Sequence, residues 1–156
     1  MSRYLLDSNI LIGYARGADF ARKADTTYQL TSPDTLVLTS IVNQAEVLAL
    51  AEKRGWGGEK RQKFEQVLNN FTIITIKSKR VVDAYTQIKA WTEGKSPPSN
   101  PNLPTPPKPA QRMGQQNDMW VAATAMASNA TIITTDKDFD LLHNAGIVKR
   151  IFIEPK

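Results

Sequence analysis

Cysteine is absent from the 156 residues, and histidine occurs once, as His143. The lack of cysteine excludes disulfides, thiolate metal sites and a thiol nucleophile. It suits a reducing compartment, and a cytoplasmic location is the expectation. A single histidine leaves no basis for an imidazole zinc site. No run of about eighteen apolar residues occurs, so no membrane span is expected. The N-terminus shows no cleavage-site pattern, so no signal peptide is expected either. What remains is ordinary for a globular domain: 41% hydrophobic residues, 22% charged residues and a formal charge of +5. The length supports one domain with a real core. The charge accommodates an anionic partner such as nucleic acid without requiring one.

Apolar runs and amphipathic stretches alternate along the chain. Tyr4 to Asp7, Thr35 to Ser40, Phe71 to Ile76, Thr131 to Asp136 and "VKRIFIE" read as strands. Between them, Val42 to Arg54 reads as a helix closed by Gly55, followed by a helix from about Gly58 to Asn70. "SKRVVDAYTQIKAWTEG" and "NDMWVAATAMASNA" read as helices, and "DFDLLHNAG" as a short one capped by Asp138 and stopped by Gly146. This alternation predicts an α/β fold of three layers with a parallel sheet. Seven of the nine prolines fall between Pro97 and Pro109. Proline lacks an amide donor, so this stretch is neither a central strand nor a helix. It reads as an extended loop inserted at about 94–113 within one domain spanning 1–156, open to a role as a lid, an RNA contact or a partner surface, with a flexible spacer put ahead of these.

"RYLLDSNILIGYA" raises a question of charge. Asp7 follows two leucines, and the next basic residue is Arg16. A buried carboxylate requires a partner. Asp136 stands likewise at the end of an apolar run. In open α/β sheets, ligands gather at the carboxyl ends of the strands. Glu46 shares a helical face with Val42, Ala49 and Leu50 rather than with Glu52 and Lys53. Asp118 opens a helix beside Val121 and Ala122, where the helix dipole favours an acid. Each acid taken singly has an ordinary structural role. Together in one cleft they repel, and a bound cation is what keeps them ionised. Oxygen-only ligands select a hard ion, Mg2+ or Mn2+.

"LLDSNILI", "IVNQAEVLAL" and "NDMWVAATAMASNATIITTDKDF" resemble the PIN-domain nucleases, most closely the VapC-type toxins of bacterial type II toxin–antitoxin pairs. The resemblance covers nearly all of the chain except the proline-rich stretch, which is longer than the family pattern. It implies a Rossmann-like fold and a metal-dependent endoribonuclease. It places the acidic site on Asp7, Glu46, Asp118 and Asp136, with Asn9, Ser40 and Thr135 as supporting polar residues. Asp138 is also near, with helix capping put ahead of metal binding. The resemblance further implies an RNA substrate, a cognate antitoxin and a homodimer. Basic residues must flank such a site. Lys53, Arg54, Lys60, Arg61, Lys63, Lys108, Arg112 and Lys137 are the candidates. Trp56, Trp91 and Trp120 are expected in the core or a subunit contact rather than against bases, and His143 in a structural or exposed place. The alternatives are an RNA-processing nuclease without an antitoxin and a non-catalytic RNA-binding module. A haloacid-dehalogenase-type phosphatase needs a second Asp where Asn9 stands.

Overall fold

The computed structural model describes residues 1–155. In chain order it runs β1 (Ser2–Leu6), α1 (Ser8–Arg16), α2 (Asp19–Tyr28), β2 (Thr35–Ser40), α3 (Ile41–Arg54), α4 (Gly58–Leu68) and β3 (Thr72–Ile74). It continues with α5 (Lys79–Thr92), a 3-10 turn (Pro109–Gln111), α6 (Gln116–Ser128), β4 (Thr131–Thr134), α7 (Asp140–Asn144) and β5 (Arg150–Phe152). The five strands form one parallel sheet in the order β3-β2-β1-β4-β5. This is the Rossmann-like three-layer α/β architecture that the alternation predicts.

Side-chain alternation divides the core in two. Leu5, Leu38 and Ile132 point to one face and pack against α5, α6 and α7. Leu6, Val37 and Ile133 point to the other, against α1, α3 and α4. Trp91, Phe64 and Phe139 are the largest fully buried side chains. Among the described residues no helix is long and apolar enough to cross a membrane.

The strand order places a topological switch between β1 and β4. The chain leaves β1 for α1 on one face and leaves β4 for α7 on the other. A crevice opens between such diverging connections, outside the strand ends. Asp7 and Asp136 both lie there.

Several elements differ from the sequence reading. Helix α2 was not expected: "DFARKADTTY" is polar, and it buries little beyond Ala21 and Ala24. The strand expected over Phe71–Ile76 shortens to Thr72–Ile74, because β3 is an edge strand paired on one side only. Helix α7 is capped at Phe139, without a side-chain cap, rather than by Asp138. The Asp138 side chain turns toward the strand ends instead, as described below.

The proline-rich stretch is tied down, not a loose spacer. The Trp91 indole N–H donates to the Pro104 carbonyl (2.8 Å), and Asn100 Nδ2 donates to Gln87 Oε1 (3.2 Å). Met113 N donates to Thr92 Oγ1 (3.0 Å), and Leu103 and Met113 pack against the core. The proline-rich segment thus docks through the Pro104 carbonyl, the Asn100 side chain, the Met113 N–H and its few apolar side chains.

Candidate active site

Asp7 directly follows β1 and is the N-cap of α1. Its backbone N–H still pairs with the sheet, donating to Ile133 O (3.0 Å), while its carbonyl accepts from Ile10 N and Leu11 N. The side chain is only 7% exposed, so its partners matter. Oδ1 accepts from Ser8 N (2.9 Å) and Asn43 Nδ2 (3.0 Å), and Oδ2 accepts from the Thr134 hydroxyl (2.8 Å). A carboxylate offers about four lone-pair positions. One, on Oδ2, is therefore left for a further partner.

These partners form an ordered relay. Thr134 Oγ1 gives its proton to Asp7 and accepts from Asp136 N (3.0 Å), so one hydroxyl links two strand-end acids. Asn43 Nδ2 donates to both Asp7 and Ser8 Oγ (3.1 Å). Ser8 Oγ in turn donates to Glu46 Oε1 (3.1 Å). Asn43 also closes the capping box of α3: its Oδ1 accepts from Ser40 N (3.3 Å), and Ser40 Oγ accepts from Val42 N (3.1 Å). Ser40 thus holds Asn43, and Asn43 holds Asp7.

On the other side of the crevice, Asp138 N donates to Asp136 Oδ1 (3.3 Å). Asp118, in the first turn of α6, lines the same pocket as Asp138. Burial first, then the charge of Asp138 and of Asp7, pushes the Asp118 carboxyl up to about 7. Asp138 is also raised, by partial burial and by Asp136. Asp7 lies above the usual range because its burial outweighs the bonds from Thr134 and Ser8, and the charges of Glu46 and Asp136 add to that. Negative charge is concentrated here beyond what the chain itself neutralises.

The crevice thus brings together Asp7, Glu46, Asp118, Asp136 and Asp138, with Ser40 one step behind. It leaves out two of the residues that the family resemblance implies. Asn9 is exposed on α1, and Thr135 is half-buried; neither has a side-chain hydrogen bond to these acids among the described residues. Ser8, Asn43 and Thr134 were not anticipated. His143 is structural: its Nδ1 accepts from Arg150 N (3.1 Å). Trp91 and Trp56 are buried, and Trp120 stacks on Tyr85 with ring centroids 3.7 Å apart.

The sequence matches the PIN domain family over residues 4–144. The chain belongs to the PIN-domain family. No curated protein matches it. Solved structures of similar fold include a chain of VapBC2 from Rickettsia felis bound to a DNA fragment from their promoter. There the TM-score is 0.74 at 18% identity, covering 97% of this chain and 99% of that one. VapBC-1 from nontypeable Haemophilus influenzae gives 0.69 at 17% identity, covering 96% and 97%. FitAcB from Neisseria gonorrhoeae gives 0.61 at 21% identity, covering 95% and 96%. At these identities the likeness is one of fold.

A divalent cation is the group implied for this PIN domain, and the donor set fits it. All the acids present oxygen, the preference of Mg2+ and Mn2+. Asp7 keeps an open lone pair, and a cation relieves the mutual repulsion that raises Asp7, Asp118 and Asp138. Among the described residues, no three His, Cys, Asp or Glu side chains are arranged as a ready metal site; Asp7, Asp118 and Asp138 are the raised acids whose charge a cation would offset.

Proposed function

We propose that this PIN domain is a Mg2+- or Mn2+-dependent endoribonuclease, the toxin of a toxin–antitoxin pair. The observation that carries the reading is the Asp7 carboxylate: buried, held by three donors with one lone pair unfilled, and near enough to Asp136, Asp118 and Asp138 for their charges to act on one another. A carboxylate with only a structural role is satisfied by its own donors and does not face further acids.

When bound, the metal polarises the scissile phosphate and lowers the pKa of a water. The chain supplies the rest. Asp7 and Asp136 are set at a fixed separation by the shared Thr134 hydroxyl. Glu46 is oriented through Ser8 and Asn43. Asp118 and Asp138 would join Asp7 in holding the cation, and one carboxylate of the cluster would take the proton of the attacking water. The chain has no cysteine and its single histidine is bonded into the α7–β5 corner, which suits this division of labour.

A cognate antitoxin, a homodimer and a cytoplasmic location belong to the same reading. Its support is that the similar folds sit in VapBC structures. An RNA-processing nuclease is the second reading, since the same acids serve it. A short adjacent reading frame whose product inhibits cleavage favours the toxin.

The test uses labelled structured RNA with Mg2+, Mn2+ or chelator, beside Asp136→Asn. Cutting that needs metal and disappears in the variant supports the reading. Equal cutting with chelator, or RNA binding without cutting in any condition, overturns it. Thr134→Val keeps the shape but removes the donor to Asp7 and the acceptor of Asp136 N. Supporting groups of this kind are worth about 10- to 100-fold in activity, and that loss is expected. Thr135→Val is expected to stay within about threefold of wild type, and the two rates side by side check the assignment.

A further inference from the structure

The acids explain how a metal is held but not how a polyanion approaches them. A cluster of carboxylates repels RNA, so cations near it must carry the substrate. Several basic residues are already engaged elsewhere. Arg61 pairs with Glu52, Arg150 with Asp140 (2.8 Å), and Lys60 lies over Trp56 at 4.4 Å from the ring centroid. Two cations lie at the acidic crevice itself. Arg112 and Lys137 line a pocket of about 230 Å3 together with Asp118 and Asp138. Among the described residues, neither cation has a carboxylate within ion-pair distance; Lys137 Nζ also lies over the Phe152 ring at 5.8 Å from its centroid, so Arg112 is the cation without another partner there.

Arg112 is positioned, not trailing. It directly precedes Met113, whose N–H is bonded to the buried Thr92 hydroxyl. The arm before it is fixed by the Trp91–Pro104 and Asn100–Gln87 bonds. Its guanidinium rests on Gly94, where an added Cβ would come within 3.0 Å of Arg112 Cζ. Gly94 has φ +91, a conformation that favours glycine. The anchored proline-rich segment thus carries a cation to the edge of the acids and keeps it there. Arginine presents a planar fork suited to two phosphate oxygens.

We propose that Arg112, seated on Gly94, and Lys137 form a subsite for a backbone phosphate of the RNA next to the scissile bond. This rests on the ribonuclease reading. The proline-rich arm is then a positioning element for the substrate. Gly94 acts through Arg112 and touches no substrate.

The test is steady-state RNA cleavage in Mg2+ at several salt concentrations, with Arg112→Ala, Arg112→Lys, Gly94→Ala, the double variant, and Lys149→Ala as a control at the opposite strand ends. Arg112→Ala is expected to raise KM about tenfold, with the loss falling on KM rather than kcat. One lost phosphate contact on a single strand flattens the salt dependence of log(kcat/KM) by about 0.7. Arg112→Lys restores part of the loss. Gly94→Ala reproduces it, and the double variant is no worse than Arg112→Ala alone. Lys149→Ala changes neither quantity. Wild-type KM and salt slope in Arg112→Ala, in a preparation where wild type cuts RNA, overturn the subsite and leave the nuclease standing. A fall in kcat or melting temperature with an unchanged salt slope also overturns it. Failure of wild type to cut RNA with any metal removes the nuclease reading, and the subsite with it.

Discussion

Asp118→Asn is expected to silence cleavage and, at the same time, to stabilise the metal-free protein at pH 7.5. The loss of activity should exceed the roughly 10- to 100-fold typical of supporting groups, because the acid itself is removed. The gain in stability follows from linkage. The folded carboxyl is raised to about 7 from an ordinary 3.8. A raised acid binds more protons in the folded state, so its stabilising contribution is full below about pH 4 and is lost as pH rises through about 7. At pH 7.5 the charged form is the strained one, and asparagine removes the charge. Asp118 is only half-buried, so solvent screening reduces the gain to about 1–2 kcal/mol. For a chain of this size that is a rise in Tm of about 3–6 °C. Thermal melts of both proteins from pH 4 to 8, with and without Mg2+, check this. The wild-type curve should fall toward neutral pH, and the variant should be flatter. Saturating Mg2+ at 100 times its Kd should add about 2.7 kcal/mol to wild type and much less to the variant. A variant that melts lower than wild type at pH 7.5 would show that Asp118 makes a favourable contact there, and would argue against crowded negative charge.

Much of this was legible in the sequence because the physics behind it is local. A parallel strand buried on both faces must be apolar, and an acid ending such a run is conspicuous; Asp7 and Asp136 are found that way. Helical periodicity singles out Glu46 by a face shared with Val42, Ala49 and Leu50, but the fully buried face of α3 is Asn43, Val47 and Ala51, with Ala49 exposed and Glu46 half-buried beside it. Less visible were groups whose role depends on which way a strand alternates. Leu5, Leu38 and Ile132 face α5 and α6, so Asp7, Ser40 and Thr134, two residues on in each strand, fall on that side. Thr135 follows Ile133 to the other. Counting residues by two from the core would have chosen Thr134 over its neighbour. Asn43 was legible only as the fourth residue of a Ser-x-x-Asn cap, and its second role needs α3 and α1 brought together. The docking of the proline-rich arm was hidden for a different reason. It depends on the Pro104 carbonyl meeting Trp91 and on Asn100 meeting Gln87, both partners lying on α5, and no local pattern records that.

Asn43 is where fold and site meet, and its loss is expected to damage both. The side chain is fully buried. Asn43→Ala removes the donor to Asp7 Oδ1 (3.0 Å), the donor to Ser8 Oγ and the acceptor of Ser40 N. Hydrogen bonds to charged groups are worth about 1.5–3 kcal/mol, and unpaired buried groups add to the loss. A cost of about 2–4 kcal/mol follows, or a fall in Tm of roughly 5–12 °C. Activity should fall about 10- to 100-fold as Asp7 and Glu46 lose their shared orientation. Asn43→Asp separates the two roles. The new carboxylate still accepts from Ser40 N and preserves the cap, but it faces Asp7 without a donor. Two such acids do not both ionise cheaply, so one keeps a proton. Raised acids favour the folded state at low pH. Asn43→Asp should therefore approach wild-type stability near pH 5 and fall well below it near pH 8, where Asn43→Ala, which loses the donor to Asp7 but adds no charge, shows a weaker trend. Melts of the three proteins at the two pH values decide it. A pH-independent deficit in Asn43→Asp would mean that the cap, and not the charge beside Asp7, is what Asn43 serves.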